Sequence, residues 1–69
     1  MKYGELTRKL GRLGIVFRRQ AGGSHEIWRD PANGFYTVIP RHASREIRIG
    51  TLAKILRDLG LTREDIDRV

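Results

Sequence analysis

Apolar residues at Tyr3, Leu6, Leu10 and Leu13 recur at spacings of three and four and predict one helical stripe. Gly11 weakens that helix by about 1 kcal/mol relative to alanine. Gly14 is the expected stop, and Arg8 and Lys9 belong to the face away from the core. Ile15, Val16 and Phe17 then open a β-branched and aromatic run that continues through Arg18, Arg19 and Gln20 as a first strand. Ala21-Gly22-Gly23 breaks it, and residues 24–29 read as a second strand. Residues 30–34, Asp-Pro-Ala-Asn-Gly, are dense turn chemistry, and residues 35–39 form the third strand, ended by Pro40. Residues 41–48 form a basic loop, with a brief extended piece expected at 47–49. Leu52, Ile55, Leu56 and Leu59 give the strongest helical pattern in the chain, started by Gly50 or Thr51 and closed by Gly60. Thr62 followed by Asp65 resembles a capping box and predicts a short last helix over 63–67.

The order is α-β-β-β-α, an α+β domain occupying residues 1–69. Three strands with short links predict an antiparallel meander. Both helices are amphipathic and need one apolar surface, so both are expected on one face of the sheet, with the other face open. Alternation puts Phe35, Thr37 and Ile39 on one side and Tyr36 and Val38 on the other. It also separates Ile27 from Trp28 and Arg18 from Arg19. Which of Ile27 and Trp28 faces the core, and hence which way His25 points, stays open at this level.

Charge changes the picture. The 69 residues carry a net charge of +6, from 14 Lys and Arg against 8 Asp and Glu. Only Lys2, Lys9 and Lys54 are lysines. A guanidinium forks two hydrogen bonds to a phosphate and stacks on bases, so this balance points to nucleic acid or another polyanion. Without cysteine, disulfides and thiolate metal sites are excluded, and a reducing, cytoplasmic setting is the expectation. No stretch approaches the roughly 18 apolar residues of a membrane span. The first residues carry an acid and no apolar run, unlike a signal peptide.

The candidate chemistry centres on His25, which follows Gly22-Gly23-Ser24. Glycines let backbone N–H groups approach a phosphate, Ser24 adds a hydroxyl, and imidazole suits acid–base work near neutral pH. RNA carries its own nucleophile, the 2′-hydroxyl, so a small site can cleave it with no metal or cofactor. Such a site needs a proton acceptor and donors for the phosphate. Phosphate-contact candidates, chosen for nearness in sequence to the two histidines, are Arg18, Arg19, Arg29, Arg41 and Arg45, and His42 itself is a candidate substrate contact. Two other readings fit the same residues: a non-catalytic RNA-binding module, and an interaction protein that meets an acidic partner.

At these residues the chain resembles the HicA family, the toxin half of a toxin–antitoxin pair. The likeness includes Leu6 and Leu10 with Leu13-Gly14, then Gly23-Ser24-His25 followed by Ile27-Trp28. It continues through Thr37-Val38-Ile39-Pro40 with His42, Gly50-Thr51-Leu52, Ile55-Leu56 and Leu59-Gly60-Leu61. The resemblance implies a double-stranded-RNA-binding-domain-like fold, an mRNA interferase activity and a HicB-type antitoxin that covers the site. It places the family's essential histidine on His25. Glu26 departs from the family pattern, and an acid beside the imidazole is expected to raise its pKa or repel phosphate.

Overall fold

The computed structural model describes residues 1–42 and 44–69. Ala43, in the expected basic loop, lies outside the described residues. The elements are α1 (Tyr3–Arg12), β1 (Val16–Gln20), β2 (His25–Arg29), β3 (Tyr36–Pro40), α2 (Ile49–Asp58) and α3 (Arg63–Asp67). The strands form one antiparallel sheet in the order β1-β2-β3. This is the expected meander.

The apolar stripes meet in one cluster. Leu6 and Leu10 of α1, Leu52, Ile55 and Leu56 of α2, Leu59 at its end and Ile66 of α3 are buried with Ile15 and Ile39. Each such side chain contributes about 1.5–3 kcal/mol through burial. On β3, Thr37 and Ile39 are buried while Tyr36 and Val38 are exposed, so the helices cover one face and leave the other bare. On β2, Trp28 packs against the cluster, which sends Ile27 to the open face and settles the alternative left by the pattern. Among the described residues, no helix is long and apolar enough to cross a membrane.

Both glycine stops are used: Gly14 and Gly60 have φ of 90° and 70°. The capping box is formed in full, with the Thr62 hydroxyl accepting from Asp65 N–H and the Asp65 carboxylate from Thr62 N–H. Lys9 is not simply an outward cation. Its Nζ donates to the Ile66 carbonyl at 3.2 Å and satisfies one of the free carbonyls at the end of α3.

Three boundaries differ from the pattern. Helix α2 begins at Ile49, one turn ahead of its apolar stripe, because Ile49 is 89% exposed and burial has no say in where the helix starts. The extended piece expected over 47–49 shrinks to a bridge between Glu46 and Lys2, with Ile47 N–H donating to the Met1 carbonyl. Pro40 is the last residue of β3 rather than its terminator. It lies on an edge strand, where a missing N–H costs no ladder bond on the outer side.

Two packing details generate predictions. The buried Thr37 hydroxyl donates to Asp58 Oδ2 at 2.9 Å, and Lys54 Nζ donates to the same oxygen at 2.7 Å. The Lys54 bond chiefly, and the Thr37 bond with it, hold the Asp58 carboxyl below its ordinary value. That stabilisation is present above the unfolded-state pKa and is lost as pH falls through the folded-state pKa. Thr37→Val should therefore cost about 1 kcal/mol in denaturant unfolding near pH 7 and progressively less as acid protonates Asp58. At Gly60, a Cβ would lie 3.0 Å from Phe35 Cε2, in a left-handed backbone. Gly60→Ala should lower stability by about 1–2 kcal/mol or more, read as a drop in Tm. Gly11→Ala, with open space around the new Cβ, should raise Tm.

Candidate functional site

The turn before β2 is built by its glycines. Gly22 and Gly23 have φ of 46° and 59°, a conformation that a side chain makes unfavourable. His25 N–H donates to the Gly22 carbonyl at 3.1 Å, and Ala21 N–H to the His25 carbonyl at 2.9 Å. The Gln20 amide donates to the carbonyls of Gly23 (2.9 Å) and His25 (3.1 Å). Arg41 N–H takes the Ser24 carbonyl at 2.7 Å. Every carbonyl from Gly22 to His25 is thus engaged. Among the described residues, the N–H groups of Gly22, Gly23 and Ser24 donate to nothing within the chain. The turn uses its acceptors internally and leaves these three donors without an acceptor among the described residues.

His25 is exposed and opens β2. It pairs with Pro40, and alternation puts it on the open face with Ile27 and Arg29. Arg19 is opposite Ile27, so it shares that face and lies diagonal to His25, at roughly 7–8 Å. This placement depends on an irregularity the sequence pattern did not contain. Phe17 pairs with Trp28 and Arg19 with Ile27, leaving Arg18 as the extra residue of a bulge. Without it, Arg19 would be out of step with the face that carries His25.

The other candidate cations are distributed around this core rather than gathered on it. Arg29 is four residues along the strand from His25, about 13 Å. Its Nη2 lies 3.4 Å from where a Gly34 Cβ would be, over the β2–β3 turn. Arg41 is held to the turn by its backbone, but its guanidinium is 4.0 Å from Glu26 Oε2 and lies over the Tyr3 ring, 5.9 Å from the centroid. His42 and Arg45 line a groove beyond the end of β3, joined to one another by Arg45 N–H donating to the His42 carbonyl.

Glu26 is not beside the imidazole in the sense expected of a chain neighbour. The pleat turns it to the helix face, where it is 4% exposed. Its Oε1 accepts from Tyr3 O–H at 2.5 Å and from Trp28 Nε1–H at 3.0 Å. Burial first, and the Glu26 acceptor with it, push the Tyr3 phenol up to about 12. The acid is therefore a structural anchor under the sheet, and its carboxylate is not presented to a phosphate on the open face. Nothing in the apolar pattern marked Tyr3 as its partner, although a tyrosine on the buried stripe needs some acceptor for its hydroxyl. Among the described residues, no three His, Asp or Glu side chains gather in a way that could hold a metal ion.

The family model described as the HicA toxin of bacterial toxin–antitoxin matches residues 3–61. A curated relative, the probable mRNA interferase HicA of Pseudomonas fluorescens (strain Pf0-1), is 34% identical over 61 residues. That alignment covers 88% of this chain and 97% of the relative. No solved structure matches. The family match runs from the start of α1 past the end of α2 and contains the whole glycine turn, β2 and the groove. With most of the chain inside that match, the protein belongs to the HicA toxin family of bacterial toxin–antitoxin.

Proposed function

We propose that this chain is an endoribonuclease that cleaves mRNA, the toxin of a toxin–antitoxin pair, with His25 as the proton-transfer group. The observation that carries the reading is an exposed histidine on the open sheet face, directly after a turn whose Gly22, Gly23 and Ser24 N–H groups have no acceptor among the described residues. The name of the Pseudomonas fluorescens relative, an mRNA interferase, supports the same activity.

The chemistry follows from what RNA brings. His25 takes the proton of the 2′-hydroxyl, and the 2′-oxygen attacks the adjacent phosphorus. The P–O5′ bond breaks, leaving a 2′,3′-cyclic phosphate, and the imidazolium returns its proton to the departing 5′-oxygen. The N–H groups of Gly22, Gly23 and Ser24, with the Ser24 hydroxyl, bind the phosphate oxygens as negative charge builds. Arg19, on the same face, offsets that charge. Arg18, Arg29, His42 and Arg45 contact the strand on either side, while Arg41, turned toward Glu26 and Tyr3, braces the turn through its backbone. No metal or cofactor has a part in this scheme. A HicB-type antitoxin neutralises the enzyme by covering the open face, whose exposed Val16, Tyr36 and Val38 give a protein partner apolar surface among the arginines. The protein acts in the cytoplasm.

His25→Ala should lower the cleavage rate by about 10²–10⁴-fold in buffer containing EDTA, with far-UV circular dichroism unchanged because the side chain is exposed. Cleavage by this variant at the wild-type rate would remove His25 from the reaction. A substrate with a single 2′-deoxy nucleotide at the cut site should resist the wild-type enzyme. Continued cutting at that position would mean that the nucleophile is not the 2′-hydroxyl.

A further inference from the structure

The groove beyond β3 has features that the proton chemistry at His25 does not use. It has a volume of about 300 Å³ and is lined by Pro40, His42, Arg45, Glu46, Ile47, Arg48 and Thr51. We infer that this groove is a second RNA subsite, which holds a nucleotide next to the cleaved one and takes its phosphate on Arg45 and Arg48. The inference rests on RNA being the substrate of the His25 site.

Position argues first. Pro40 is the cross-strand partner of His25 and also a wall of the groove. Paired strands lie about 4.8 Å apart, so the groove starts one strand spacing from the residue proposed to move the proton. A chain lying across His25 toward β3 runs directly into it.

Charge argues next. Arg45 and Arg48 are exposed, and among the described residues neither pairs with a carboxylate. The single acid in the lining, Glu46, is already engaged: the Met1 ammonium is bonded to Oε2, and Lys2 adds to the effect, together holding its carboxyl below the ordinary range. The groove therefore presents uncompensated positive charge. It also adjoins the start of α2, where Arg48 is the N-cap without a side-chain cap and no acid occupies the first turn. Pro40 and Ile47 supply an apolar wall suited to a ribose or base, while Thr51 and His42 supply further polar groups. A volume of this size suits one nucleotide rather than a duplex.

Of the residues in this groove, His42 stands out in the sequence as the second histidine and Arg45 as its basic neighbour. Arg48 and Thr51 do not. Arg48 reads as part of an extended piece and Thr51 as a helix start, so neither was a candidate for RNA contact.

The test uses a fluorescently labelled 2′-O-methyl oligoribonucleotide of about eight nucleotides, which cannot be cut by attack of a 2′-hydroxyl. Its affinity is measured by anisotropy as a function of salt. Each phosphate contact on a single strand contributes about 0.7 to the slope of log K against log salt. Arg45→Gln with Arg48→Gln removes both donors to that one phosphate and should lower the slope by about 0.7 and weaken low-salt binding several-fold. Arg45→Lys with Arg48→Lys should keep the slope. The control pair Arg8→Gln with Arg12→Gln, on the exposed side of α1, should change it far less. In the wild type, the Gly50 and Thr51 amide resonances should shift as the oligonucleotide is added.

An unchanged slope in the glutamine pair, or an equal change in the control pair, overturns the subsite. So do normal RNA binding and lost antitoxin affinity in the glutamine pair, which would assign the groove to the protein partner. The catalytic reading fails separately. A wild-type protein that binds the probe through the groove but cuts no RNA refutes cleavage and supports the subsite. One that cuts RNA with a groove-independent affinity does the reverse.

Discussion

A carboxylate under a β-sheet is costly unless its oxygens are matched, and Glu26 is matched from three directions. Tyr3 comes from the first turn of α1, Trp28 from the same strand, and Arg41 from the segment that leaves β3. Hydrogen bonds to such a group are worth about 1.5–3 kcal/mol each, more than an ordinary neutral pair. Leaving any donor unmatched, or the acid unpartnered, would carry a penalty of similar size. The anchor thereby sets the position of α1 on the sheet and the direction in which the chain leaves β3. The Arg41 backbone also holds the Ser24 carbonyl, so the same segment braces the glycine turn from the other side.

The pleat then separates two kinds of chemistry within one dipeptide. His25 and Glu26 are chain neighbours, yet one is exposed and the other buried. Adjacent acid and imidazole on one face would couple electrostatically and set a negative group where the proposed reaction brings a phosphate. Opposite faces avoid this. The buried side uses polar groups for rigidity, while on the open side, among the described residues, no carboxylate pairs with Arg19 or Arg29. Even the turn follows this division, since its carbonyls are consumed internally and its N–H groups are not. A chain of 69 residues has little core to spare for holding a site rigid. Spending a buried carboxylate and a bidentate glutamine on one corner is a way to concentrate order there.

Much of this fold was legible because it rests on periodicity. The stripes of α1 and α2, the three strands, both glycine stops and the Thr62–Asp65 capping box all have local causes, and each formed where those causes lie. What was not legible depends on contacts between distant residues. The facing of Ile27 and Trp28 was undetermined because two apolar neighbours satisfy either choice; the packing of Trp28 against the helix-covered core, with Tyr3 of α1 reaching Glu26 on the same side, decides it. The start of α2 escaped because Ile49 buries nothing. The candidate site was legible at its centre, where Gly22, Gly23, Ser24 and His25 are contiguous. Its periphery was not, because proximity in sequence to a histidine does not follow proximity on a pleated sheet. Arg41 is next to His42, yet its guanidinium is turned toward Glu26 and Tyr3.

The bulge at Arg18 shows how a single local irregularity can determine a surface. Strict alternation from Phe17, whose ring meets Trp28 edge-on, would place Arg19 with the core-facing residues. Inserting one residue shifts the phase by one, and a shift of one residue exchanges faces. The result is an arginine beside His25 on the open face and a tight aromatic contact at the start of the same strand. An alternating pattern contains no trace of such an insertion, since Arg18-Arg19-Gln20 is polar throughout and fits either phase. The bulge also kinks an edge strand and weakens its use as a template for pairing with a further strand. At that edge, the geometry that brings a cation to His25 is the geometry that keeps the sheet from extending.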